Sequence, residues 1–119
     1  MGEMIEFAAN GGTCPGYLAK SAKEDAPGVV VLQEWWGIDG AKSDIKDIAE
    51  RFAAAGYTAL APDLYHGVAT EEPDEAGKLL MALSVPQASK DMRGAIEYLR
   101  ELTGKPVGTV GFCMGGALS

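Results

Sequence analysis

The stretch that most limits what this chain can fold into is Val107–Ser119, VGTVGFCMGGALS. Val107, Val110 and Phe112 make a short β-favouring apolar run, and Gly111–Gly115 then reads G-x-C-x-G ahead of small residues. This is the pattern of a nucleophile elbow, a sharp strand-to-helix turn, with cysteine in the serine position. Its glycines answer a steric demand, because a Cβ two residues to either side of the turn would strike the neighbouring strand or helix. Such a turn leaves Cys113 at a helix N-terminus, where unpaired N–H groups and the helix dipole favour thiolate over thiol. A cysteine among glycines and β-branched residues is also an ordinary buried hydrophobe, so the choice rests on the residues upstream.

A strand that feeds a helix in this way belongs to an alternating chain, and the upstream sequence alternates. Met4–Ala8 and Tyr17–Ala19 flank Asn10-Gly11-Gly12, a strong turn signal, which predicts an antiparallel hairpin. Gly28–Gln33 (GVVVLQ) is a continuous aliphatic run of the kind buried on both faces of a parallel sheet. Ala41–Ala55 carries Ile45, Ile48, Ala49, Phe52 and Ala53 on one helical face and stops at Gly56. Tyr57–Ala61 is the next strand, closed by Pro62-Asp63, so strand, helix and strand form a βαβ unit.

After an irregular acidic stretch, His66–Pro73, a weakly patterned helix is expected around Asp74–Leu83. Ser84 is suited to cap the following helix, with Pro86 in its first turn and Ala88, Met92, Ala95, Ile96, Leu99 and Leu102 on its buried face. Gly104 and Pro106 end it, and Val107–Phe112 is the strand that delivers Cys113. The fold class is therefore α/β: one domain over residues 1–119, opening with an antiparallel hairpin and continuing as a mostly parallel sheet with helices on both faces. Function in such sheets gathers at the carboxyl ends of the strands. Three segments qualify: Glu34–Gly40, Pro62–Gly67 and the elbow.

Composition narrows the partners. Among 119 residues, 17 acidic against 10 basic side chains give a formal charge of −7, which repels nucleic acid and anionic lipid. No apolar run approaches the roughly 20 residues of a membrane helix, and the N-terminus has no basic and apolar leader pattern. The expectation is a cytoplasmic protein whose two cysteines, Cys14 and Cys113, stay reduced. With no C-x-x-C and one histidine, a metal or redox thiol site is not predicted, and no cofactor is expected.

Several residues at the carboxyl ends carry chemistry. Glu34 directly follows the most hydrophobic strand, and a carboxylate at that depth needs a partner, because an isolated buried charge is very costly. Trp35 and Trp36 beside it suit either the core or an apolar substrate pocket, with Tyr65 a second candidate for the pocket wall. His66 lies on the correct edge to act as a general base. Asp63 is read as fixing its turn through local backbone N–H groups. Cys14, ahead of Pro15 in the hairpin, is read as structural.

GVVVLQEWWG, GYTALAPDLYHG and GFCMGG, in this order and spacing, resemble the dienelactone hydrolase family of α/β-hydrolases over essentially the whole chain. The resemblance implies that Cys113 is the nucleophile, that Glu34 holds the resting thiol until substrate displaces it, and that the N–H groups of Trp35 and Met114 form the oxyanion hole. The departure is that the acid and histidine, which in α/β-hydrolases follow the nucleophile, have no counterpart in the six residues after Cys113. The chain resembles roughly the first half of a member, a truncated half-domain ending just after the elbow. From this follow three expectations: His66 as a substitute base, weak turnover of small esters or lactones through an acyl-thioester, and a homo-oligomer (dimer or tetramer) in which a second copy covers the open strand edge. The competing reading is a half-domain that assembles without catalysing anything.

Overall fold

In a computed structural model, which describes residues 2–9, 11–34, 36–38, 43–83 and 85–111, five strands form one sheet. β1 (Glu3–Ala8) and β2 (Thr13–Ala19) make the expected antiparallel hairpin, its turn closed by Ala9 N–H donating to Gly12 O at 2.9 Å. β3 (Gly28–Leu32) is buried at all five positions, as is β4 (Thr58–Pro62). Between them α1 (Ile45–Ala54) crosses over, and β3 and β4 pair in parallel. α2 (Pro73–Ala82) and α3 (Val85–Thr103) follow, and β5 (Val107–Gly111) pairs in parallel with the other edge of β3. The strand order is β1-β2-β4-β3-β5, with β2 antiparallel to β4.

The aliphatic run of β3 is explained by its position, because alternate residues face two different cores. Val29 and Val31 join Ala59, Ala61, Ile45 and Ala49 under α1. Val30 and Leu32 join Phe7, Cys14, Leu18, Leu60 and Leu99 under α3. Covered on both faces, such a strand has no position for a polar side chain, which is why it reads as unbroken hydrophobe. β1 shows the opposite case at the sheet's margin, where only Phe7 is buried.

Three local expectations shift. β4 runs one residue later than Tyr57–Ala61, because Pro62 still pairs with Gly16 while Tyr57 is 41% exposed. α1 begins at Ile45, where Asp44, at φ −102° and ψ 6°, is the N-cap. On α3 the buried stripe is Ala88, Asp91, Ala95 and Leu99, while Leu102 is exposed and Met92 and Ile96 pack from the side. A charged residue thus occupies a core position that a hydrophobic template passes over. Ser84, expected as a cap, lies outside the described residues. α3 also approaches the hairpin closely: a Cβ on Gly94 would sit 2.3 Å from Ala8 O, so only glycine allows this contact. Among the described residues no helix is long and apolar enough to cross a membrane.

Candidate active site

The parallel strands deliver their carboxyl ends to one edge of the sheet. After β4, Pro62-Asp63 turns the chain, and Asp63 is 1% exposed. Its carboxylate accepts hydrogen bonds from Tyr65 N–H at 3.1 Å and Gly67 N–H at 2.7 Å, while its own N–H donates to Pro15 O at 2.8 Å. This is the turn-fixing role expected of it, since a buried carboxylate must be saturated with donors to be tolerated. Leu64 N–H donates to Gln33 Oε1 at 2.7 Å, which ties the ends of β3 and β4 together. Gln33 is fully buried, and its Nε2 has no hydrogen-bond partner among the described residues.

His66 sits within this turn in the left-handed region, at φ 51°, a conformation uncommon for a residue with a Cβ. The position directs the imidazole towards α3, where Nε2 meets Asp91 Oδ2 at 2.7 Å. Asp91 is completely buried, and its other oxygen accepts from Gln87 Nε2 at 3.0 Å. Cys14 comes up from β2 beneath them, with Sγ 3.3 Å from Pro15 O and 3.6 Å from Asp63 O. Burial, and then the charges of Asp91 and Asp63, push its thiol well above the usual cysteine range. The burial of Cys14 is in keeping with the structural reading.

After β3, Glu34 is half-buried, and its Oε1 accepts from Asp44 N–H at 3.4 Å, a long contact. Gly37 follows at φ 88°, and a Cβ there would lie 2.6 Å from Val68 O. Trp36 O accepts from Thr70 N–H at 3.0 Å, so this loop lies against the segment after His66. Trp36 is half-buried and Tyr65 buried, the latter's phenol pushed up from its ordinary value by burial.

Of the residues singled out from sequence, Glu34, Trp36, Tyr65 and His66 lie in the two loops at the carboxyl edge. Cys113, Trp35 and Met114 lie outside the described residues. The sequence reading overlooked Asp91, Gln87 and Gln33. Asp91 had a signal: it stands three residues after Ala88 and four before Ala95, on the buried stripe. Gln33 had one too, as the polar residue that ends an aliphatic run.

A parallel core flanked by an antiparallel hairpin, with helices on both faces and a last described strand leading into the sequence G-x-C-x-G, gives the chain an α/β-hydrolase fold. The comparisons narrow the class. The profile of the Dienelactone hydrolase family matches residues 14–119, and the chain belongs to that family. Protein usf of Aquifex pyrophilus is 42% identical over 125 residues, covering 100% of this chain and 54% of that protein. Carboxymethylenebutenolidase 1 of Cupriavidus pinatubonensis is 33% identical over 121 residues, covering 92% of this chain and 50% of that protein. Among solved structures, a dienelactone hydrolase-like promiscuous phosphotriesterase from metagenomic libraries superposes with a TM-score of 0.80 at 23% identity, covering 99% of this chain and 51% of that one. That likeness bears on the fold. The chain spans about half the length of these relatives, matching the N-terminal half of a family member.

Proposed function

We propose that the chain carries the nucleophile side of a cysteine-dependent hydrolase of small esters or lactones. The observation that supports this most is membership of the dienelactone hydrolase family over residues 14–119, a span that contains Glu34, the Trp35-Trp36 pair and the G-x-C-x-G turn together. The Cys113 thiolate attacks the substrate carbonyl. A carbon–sulfur bond forms, and the carbonyl electrons move onto oxygen, where the N–H groups of Trp35 and Met114 receive them. The intermediate collapses with loss of the alkoxide, which takes up a proton, and water then hydrolyses the thioester. Each oxyanion donor contributes on the order of a hundredfold or more to such a step.

Glu34 holds the resting thiol. Among the described residues its carboxylate has one hydrogen bond, a long one, which it can exchange for a thiol or for solvent. His66 is the base only if it works through Nδ1, since Nε2 is engaged by Asp91. Thioester hydrolysis is accordingly the slow step, and weak turnover follows. Stopped-flow release of p-nitrophenol from p-nitrophenyl acetate tests the reading. A burst of about one equivalent per chain followed by a slow phase is expected, and equal time courses for the protein and Cys113→Ala refute it. His66→Gln slows the phase after the burst if His66 is the base and leaves it unchanged if it is not.

The outer edge of β5 has no strand partner among the described residues, and Gly108 and Thr109 on it are exposed. Open edges recruit strands, and we extend the proposal to a homo-oligomer, dimer or tetramer, in which a second copy covers this edge. Light scattering at micromolar concentration that returns a monomer mass refutes the extension. The cytoplasm, which keeps thiols reduced, is the compartment that suits this chemistry.

A further inference from the structure

Cys14, His66 and Asp91 come from β2, the loop after β4 and α3, with the latter two 25 residues apart in sequence, yet their ligand atoms all lie within 4.8 Å of one another. We propose that these three side chains form a binding site for a zinc-type divalent cation, one that does not use Cys113. Nothing in the sequence spacing suggests it, because the ligands belong to no short motif.

The donor set identifies the ion. A thiolate, an imidazole and a carboxylate form the mixture that zinc accepts in four-coordinate sites, and a thiolate disfavours magnesium and calcium. Around zinc, with bonds of about 2.0–2.3 Å, such donors stand roughly 3.3–3.6 Å apart. The present 2.7 Å between His66 Nε2 and Asp91 Oδ2 then opens by about half an ångström, and the sulfur moves inward. On binding, the Cys14 S–H bond breaks, its electron pair goes to the cation and its proton leaves to solvent. The hydrogen between His66 Nε2 and Asp91 Oδ2 also leaves that nitrogen, to solvent or to Nδ1, so that Nε2 can ligate.

Charge makes the burial tolerable. A dication offsets the Cys14 thiolate and the Asp91 carboxylate, both fully buried, with the buried Asp63 carboxylate close by as a further negative charge. Without it, the thiol faces a buried carboxylate hydrogen-bonded to His66 and Gln87. The orienting contacts that metal ligands need are already in place. Gln87 Nε2 holds Asp91 Oδ1, and the turn built on Asp63 fixes the His66 backbone. His66 has 39% of its side chain exposed, which opens a route for the ion and leaves the fourth position to water.

Cobalt(II) reports the site directly. The chain carrying Cys113→Ser, stripped with a chelator, is titrated with Co²⁺ and then competed with Zn²⁺. The expected result is about one equivalent of cobalt, with a thiolate-to-metal charge-transfer band in the near ultraviolet and visible bands of four-coordinate geometry, all removed by zinc. Adding Cys14→Ser abolishes the charge-transfer band. His66→Ala weakens affinity by more than about tenfold with Cys14 intact, and Gln87→Ala weakens it by about tenfold. The proposal is overturned by absence of the band in excess cobalt, or by a band that persists in Cys14→Ser or is unmoved in His66→Ala. Far-ultraviolet circular dichroism confirms that each variant is folded. The readout is independent of ester turnover, so hydrolase activity and metal binding fail or stand separately.

Discussion

The loops that follow β3 and β4 lie side by side on one sheet edge and are held in opposite ways. The β4 loop is densely bonded: Asp63 accepts two backbone N–H groups, Gln33 Oε1 accepts a third, and His66 is paired with a buried carboxylate, while the buried Gln33 Nε2 has no partner among the described residues. The β3 loop presents a half-buried Glu34 whose carboxylate has one described hydrogen bond, at 3.4 Å. Polar groups bonded throughout rigidify a fold, while a lightly engaged carboxylate can change partner at little cost. The first loop is the frame, and on the proposed function the second is the part available for a thiol and a substrate.

Substitutions can break or sharpen that contrast. The largest loss of stability is expected from Asp63→Ala, which strands two backbone donors in a buried turn and costs about 2–4 kcal/mol in urea unfolding. A cost under about 0.5 kcal/mol would mean that the β4 loop is not the frame. Gly37→Ala comes next, because the residue combines a positive φ with a Cβ position 2.6 Å from Val68 O. About 1–3 kcal/mol is expected, along with detachment of the β3 loop from the segment it lies against.

Tyr17→Phe, outside both loops, sets the scale of an ordinary surface contact. The Tyr17 hydroxyl donates to Glu50 and holds its carboxyl below the usual carboxylate range, with Gly2 N–H adding a second donor at 2.6 Å. A lowered folded value stabilises the protein above the usual carboxylate range, and that gain is lost as pH falls through the lowered value. The substitution is therefore expected to cost about 1 kcal/mol near neutrality and less in acid. A pH-independent difference would contradict the pairing. The smallest stability change is expected from Glu34→Gln, within about 0.5 kcal/mol. Its effect belongs on the rate of the p-nitrophenol burst, and a large loss of stability with normal burst kinetics would reverse the assignment of the two loops.

Much of this architecture was legible before any coordinates. GVVVL reads as a strand covered on both faces because no residue in it tolerates water, and Asn10-Gly11-Gly12 announces its hairpin through turn chemistry. Glu34, Trp36 and His66 were placed on the right edge because strand ends in such sheets converge there. The contact between Cys14, His66 and Asp91 was not legible. It depends on where an antiparallel strand, a loop in left-handed conformation and one turn of α3 meet, and a hydrophobic template skips Asp91 in favour of Met92. The two tryptophans could not be assigned to core or pocket from composition, since both environments bury aromatic area.

The central claim is that one thiol of two attacks the ester: Cys113, and not the buried, carboxylate-lined Cys14. Acid-quenching the chain seconds after mixing with a slight excess of p-nitrophenyl acetate, digesting it and sequencing the peptides by mass spectrometry measures this directly. The acetyl group is predicted on the peptide containing Cys113, with the Cys14 peptide unmodified. An acetyl group on Cys14, or none on either cysteine, would contradict it.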